Sequence, residues 1–276
     1  MRDMQWRPQL FRILTITVVV GVVIPPSATA APLQPTKPWV LEFAEQKCVA
    51  AREYGSPGKP LVVLLKPSPI GNLLQFTLVR PAAGGTAREV SAELQIGDDP
   101  PVRLPALAFD HKAAKLRSMR ISLLGETADR LSVARTITIK ASGEVDQTFA
   151  ISPMRDVTTT MKTCVADLRT HWNIDPDKQV KLRARATANL ARFLQDRDYP
   201  EMAALRHQGG VVEFALLIDE AGKVADCTVT VPSGVPVLDA QSCAILANRA
   251  KFEPAIGNDG KPAKDSAVSR ITWKIP

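Results

Sequence analysis

The chain is 276 residues long, 45% hydrophobic and 23% charged, with a formal net charge of +7. Those proportions are ordinary for globular protein and suggest one or two domains, which argues against a disordered or low-complexity chain. The modest basic excess suits an acidic peptide or an anionic envelope surface, serves solubility equally well, and gives no reason to expect nucleic acid.

Residues 1–30 have the form of a targeting segment. Arg2, Arg7 and Arg12 make a basic start, Ile13 to Ile24 is an apolar run, and Ala28-Thr29-Ala30 is an A-x-A cleavage site. A signal peptide removed after Ala30 is expected; the charge then falls to +5, because Arg2, Arg7, Arg12 and Asp3 leave together. An uncleaved inner-membrane anchor is the alternative, but a bilayer span needs about 20 apolar residues and Pro25-Pro26 ends this run early. With no other membrane span in view, an exported, periplasmic protein is predicted. The four cysteines are an even number, as thiols paired in an oxidising compartment would be.

Residues 31–172 read as a β-rich domain. Pro60 to Lys66, Leu73 to Arg80, Glu89 to Ile96, Met119 to Leu124, Arg135 to Lys140 and Glu144 to Ile151 are short β-prone runs broken by Gly, Pro, Asp or Ser, as in a sandwich or barrel. A helix follows, since Val157, Met161, Cys164, Val165, Leu168 and Trp172 fall on one apolar stripe. Cys164 lies on that stripe and Cys48 in the first strand region, so a Cys48–Cys164 bond clamping helix to sheet is predicted. Trp39 to Phe43, followed by Cys48 and Arg52, faintly resembles the exported β-rich module of invasion-associated locus B proteins, and no function is carried over from that likeness.

Residues 173–192 read as a linker. Asp175-Pro176-Asp177 opens it, and Lys178, Lys181, Arg183 and Arg185 make it basic. A solvated linker or helix face is the simpler reading; a steering patch for anionic lipid or peptidoglycan is the other.

Residues 193–276 read as a small closing domain. A short helix after Tyr199-Pro200, with Pro200 at its first position, is expected to stop near His207, a candidate C-terminal cap. In Val211 to Ile218, Val212, Phe214, Leu216 and Ile218 recur with period two and define a core face. Asp219-Glu220-Ala221-Gly222 supplies a turn, and Val224 to Val231 returns with Cys227, Val229 and Val231 inward. Asp239 has the side chain of an N-cap, Leu238 a place to staple onto Cys243, and the helix beyond a stripe of Cys243, Leu246, Ala247 and Ala250. Two inward cysteines on a strand and its covering helix are candidates for a Cys227–Cys243 disulfide. After a polar loop from Gly257 to Lys264, a last strand spans Ala267 to Ile275, with Ile271, Trp273 and Ile275 on its core side.

The order Tyr199-Pro200, Gly210-Val211-Val212, Asp219 to Val224, Ser233-Gly234, Leu238-Asp239, Phe252-Glu253-Pro254-Ala255 and Ile271-Thr272-Trp273 resembles the carboxy-terminal domain of the TonB family. Where that family often carries Gln-Pro ahead of the Tyr-Pro, this chain has Asp196 and Arg197. The resemblance implies a small αββαβ TonB-like domain; with the amino-terminal sandwich or barrel and its packed helix read above, the chain is expected to be α+β. The resemblance also implies a partner, an extended segment of a TonB-dependent outer-membrane receptor that adds as a strand beside the last strand of the domain. Val268, Ser269, Arg270, Ile271, Thr272, Trp273 and Lys274 are then the partner-binding residues, with Arg270 and Lys274 favouring acidic segments. Family transducers engage a membrane motor through a helix carrying Ser and His. Here the apolar run offers Thr15 and Thr17 without His, and no long Pro-rich spacer follows. The alternative is therefore a free periplasmic adaptor, or a structural module that pairs with a second copy.

No enzyme is expected. His111, His171 and His207 have no Cys or carboxylate at metal-ligand spacing, and G-x-S-x-G, H-E-x-x-H and P-loop motifs do not occur. Neither a metal nor a cofactor is anticipated.

Overall fold

The computed structural model describes residues 31–82 and 85–275. The signal-peptide reading falls outside them. Among the described residues no helix is long and apolar enough to cross a membrane.

The first part of the chain builds one antiparallel sheet of nine strands: β1 (Val40–Ala44), β2 (Lys47–Ser56), β3 (Lys59–Pro67), β4 (Leu74–Pro81), β5 (Arg88–Ile96), β6 (Val102–His111), β7 (Leu116–Leu123), β8 (Thr136–Ala141) and β9 (Val145–Ala150). Their spatial order is β1-β2-β3-β4-β7-β6-β5-β8-β9. Alternation decides which way each strand faces. On β4, for example, Leu74, Phe76 and Leu78 are buried, and Gln75 and Thr77 between them are only partly so.

The two ends of this sheet are drawn together by the segment before β1. Leu33 bridges Phe149 on β9, and Pro35 bridges Tyr54 on β2. The Leu33 N–H donates to the Thr148 carbonyl at 2.7 Å and the Thr36 N–H to the Glu53 carbonyl at 2.9 Å. The sheet curls on itself, and the segment before β1 stitches β9 to β2. Arg52 fastens the same seam. Its guanidinium donates to the Ile151 and Ser152 carbonyls at 2.9 and 2.8 Å and stacks over Trp39, whose indole N–H also reaches Ile151. Trp39 and Arg52, the residues behind the faint likeness to locus B proteins, thus have a structural task here.

α1 (Gly125–Arg130) crosses between β7 and β8, and α2 (Arg155–His171) follows β9. On α2 the predicted stripe is seated inward, with Val157, Met161, Cys164 and Leu168 buried and Trp172 just past its end 1% exposed. Cys164 is bonded to Cys48 on β2, so the helix is covalently fixed to the sheet.

The closing part contains β10 (Leu182–Ala184), α3 (Glu201–Leu205), β11 (Gly210–Ile218), β12 (Val224–Val231), α4 (Pro236–Arg249), β13 (Ala255–Gly257), β14 (Pro262–Ala263) and β15 (Asp265–Trp273). β11 is the centre of a three-stranded sheet, with β12 on one side and β15 on the other. Val212, Phe214, Leu216 and Ile218 are fully buried under α4 together with Leu238, Ile245 and Leu246. The turn to β12 needs Gly222 at φ +74°, where any Cβ would run into the Phe252 carbonyl. Cys227 on β12 is bonded to Cys243 on α4. The chain is α+β.

Several local expectations require correction. α4 begins at Pro236 with Val235 as N-cap, so Asp239 is not the cap but a residue of the first turn, reaching back to accept the Ser233 N–H at 2.9 Å. Starting four residues earlier, the helix has no staple from Leu238; Leu238 is itself core. Its inward face is Leu238, Ser242, Ile245 and Leu246, and Ala247 points to solvent. A bulge in β12 places Val231 opposite Glu213 and leaves it 47% exposed, reversing its predicted inward direction. β15 stops at Trp273, so Ile275 lies beyond the sheet and is half exposed. Pro200 is the N-cap of α3, one residue ahead of its expected place. His207 does end that helix, with φ +51° and its N–H on the Ala204 carbonyl.

Two features were not anticipated. Leu182–Ala184, within the stretch read as a linker, pairs with β13, and β13 pairs with β14 across the supposed polar loop. The opposite face of β11 is also covered: Leu217 is 1% exposed and packs with Cys48, Cys164, Leu168 and Trp172. The small sheet therefore rests on the helix and disulfide of the first part.

Candidate functional site

The candidate site is the outer margin of β15. β15 pairs antiparallel with β11 along its whole length, from Asp265 opposite Ile218 to Trp273 opposite Gly210. Its other edge lies at the boundary of the sheet.

The start of that edge is closed by a latch. Asp265, 1% exposed, accepts the Ala186 N–H at 2.9 Å through one oxygen and pairs with Arg185 at 2.8 Å through the other. The Arg185 guanidinium also takes the Ser266 carbonyl at 2.9 Å. That contact fixes the parity of the strand, because the Ser266 carbonyl points away from β11. Carbonyls and N–H groups alternate in direction along an antiparallel strand, so those of Val268, Arg270 and Thr272 also point outward, and those of Ser269, Ile271 and Trp273 point to β11. Past the latch, no backbone hydrogen bond from a described residue closes the outer row from Val268 to Thr272.

Side chains alternate independently, between the two faces. Ile271 and Trp273 are buried, and the Trp273 indole N–H donates to the Ser242 hydroxyl at 2.9 Å while Tyr199 meets its ring edge-on at 5.3 Å. Trp273 is thus a core residue that sets the position of β15 on α4. Ser269 is half-buried on the same side. Val268 is 60% exposed, and Arg270, Thr272 and Lys274 are exposed as well, Lys274 just beyond the strand. Of the seven residues named from sequence, these four face solvent and the other three hold the strand in place. Asp196 and Arg197, at the Gln-Pro positions, lie in a single 3-10 turn before Tyr199. The neighbouring Asp198 carboxyl is held below its usual range by Arg249, which pairs with it at 2.7 Å.

The histidines are dispersed. His111 contacts the Ser118 hydroxyl, His171 meets Lys264, and His207 caps α3. Among the described residues no group of three or more His, Cys, Asp or Glu could hold a metal ion. From sequence Arg185 reads only as one of four basic residues in a linker and Asp265 carries no signal; their pairing exists only once the fold brings the end of β10 to β15.

No curated protein and no solved structure matches the chain. Residues 195–275, which include the whole of α3, β11, β12, α4 and β15, match the model of the family described as Gram-negative bacterial TonB protein C-terminal. The likeness to that family extends over the carboxy-terminal part of the chain, from residue 195 to residue 275.

Proposed function

We propose that this is a periplasmic protein of the TonB family that captures an extended segment of an outer-membrane receptor by adding it as a strand to the open edge of β15, in transport across the outer membrane. The observation that carries this reading is the unpaired outward row at Val268, Arg270 and Thr272, lying beyond the Arg185–Asp265 latch at the margin of a sheet rigidly seated on α4. Backbone groups at such an edge supply affinity without regard to sequence, and side chains at alternate positions set preference. Arg270 and Lys274 favour an acidic segment. The disulfides Cys48–Cys164 and Cys227–Cys243 suit an oxidising envelope compartment.

The edge also admits a second copy of the chain across a two-fold axis, the reading in which the protein is an adaptor or structural module without energy transduction. Thr272→Pro tests the capture. Its N–H points outward, so proline there removes a docking donor and leaves the pairing with β11 intact. Loss of binding to an acidic receptor-segment peptide, with an unchanged thermal midpoint, is the expected result; full binding by the folded variant would refute capture at this edge. Solution mass with and without the peptide distinguishes capture by a monomer from pairing of two copies.

A further inference from the structure

A second site lies away from β15, between the outer face of the curled sheet and the β12–α4 side of the closing part. It is a cavity of about 430 Å³, within the range of small-molecule sites. Its walls are largely apolar: Leu104, Leu107, Leu124, Val229, Pro236 and the Cys227–Cys243 disulfide.

Its polar lining is uneven. Asp226 is fully engaged, with both oxygens accepting from the Lys66 ammonium at 3.0 and 2.9 Å and one from the Thr228 hydroxyl at 2.9 Å. Asp239 accepts the Ser233 N–H. Arg120 is the group left over. It points outward from β7, between the buried Met119 and Ile121, and its guanidinium lies over the Phe109 ring at 5.2 Å. Its Nε is buried and has no acceptor among the described residues. Burial pulls its pKa below the ordinary arginine range, and the Asp226 charge works against that fall. Arg120 as a whole is half-buried, and its Nε–H, withdrawn from water without an acceptor, costs stability because its desolvation is not offset.

We propose that this cavity binds a small organic monocarboxylate with an apolar body, its carboxylate held by the Arg120 guanidinium and its body against the leucine and disulfide walls. The planar fork of arginine matches a carboxylate in two parallel hydrogen bonds. A single negative charge is favoured over a phosphate dianion because, of the two cations lining the space, Lys66 is already paired with Asp226, which leaves the Arg120 charge to be matched. The apolar walls select against acetate, which leaves them uncovered.

The test is isothermal titration calorimetry of the whole protein with hexanoate and benzoate, with acetate, inorganic phosphate and hexanol as comparisons, repeated on Arg120→Met. Losing a charge-assisted pair predicts binding at least about tenfold weaker in the variant. Hexanoate or benzoate is expected to saturate one site in the wild type, ahead of all three comparison probes. The urea midpoint of Arg120→Met is expected at or above that of the wild type, because methionine keeps the apolar stem and removes the unpaired cation. No saturable binding by either carboxylate, equal binding by the variant, or tighter binding of phosphate or hexanol would overturn the proposal. So would a lowered urea midpoint in the variant, which would mark Arg120 as a structural tie.

Discussion

The Glu89 carboxylate on β5 accepts the Val237 N–H in the first turn of α4 at 3.1 Å, a bond between residues 148 positions apart. Its other oxygen accepts from Gln208 at 3.1 Å and lies 3.6 Å from Arg206. A helix start exposes N–H groups with no intrahelical acceptor, and a carboxylate is the favoured partner there. One side chain of the curled sheet therefore ends a helix of the closing part. Together with the Lys66–Asp226 pair and the packing of Leu217 on the Cys48–Cys164 bond, it ties the two parts.

Glu89→Ala is expected to lower stability by about 1.5–3 kcal/mol, the range for losing a hydrogen bond to a charged group. Urea unfolding measures the loss. Limited proteolysis between residues 173 and 192 should speed up in the same variant, as the two parts open; an unchanged cleavage rate would show that the apolar contact at Leu217 suffices.

The two disulfides differ in the length of chain they close. Cys48–Cys164 spans 116 residues and Cys227–Cys243 spans 16. In the chain-entropy model, removing the first by paired Cys→Ala substitution costs about 4–5 kcal/mol and the second about 3. Denaturant midpoints of the two double variants, compared with the wild type, give that order directly. A larger loss from the shorter loop would mean that native packing, rather than the unfolded chain, sets their value.

Glu144 collects three arginines. Its carboxylate, 2% exposed, pairs with Arg117 at 2.7 Å, Arg88 at 2.8 Å and Arg80 at 3.0 Å. The hydrogen bond from Arg117 leads in holding its pKa down at about 2, against the opposing effect of burial. Asp110, the second partner of Arg117, is lowered as well. A depressed carboxylate pKa stabilises the fold above the unfolded-state value near 4.3 and loses that contribution as pH falls toward the folded value. Glu144→Gln is therefore expected to be less stable than the wild type at neutral pH, with the gap closing between about pH 4.5 and pH 2. Thermal midpoints of both proteins across that window measure it, and a gap that stays constant would contradict the account.

Much of this architecture is legible in the sequence where a single pattern decides it. The stripe from Val157 to Trp172 marks α2, and the period-two run from Val212 to Ile218 marks the inner face of β11. The same run conceals a second surface, since alternation cannot tell that Ala215 is buried too and that Leu217 is covered by a helix about fifty residues earlier. β6 is not legible as a strand, because Pro105 interrupts it. Pro105 pairs with β5 but stands one residue before the pairing with β7 begins at Ala106, where a missing N–H costs no ladder bond. The reversed direction of Val231 comes from a one-residue bulge that leaves no mark in composition. The margin of β15 follows from its place in the order of elements, whereas Arg120 is one of two arginines on β7 and meets the cavity only where α4 lines it.

The antiparallel register between β11 and β15 runs unbroken from Gly210 to Ile218. Ladder bonds lie across the strands, so tension drawn along a segment lodged beside β15 would strain every rung of that ladder at once instead of peeling rungs one after another. Such a joint resists tugging parallel to its length and yields more readily to being lifted from one end.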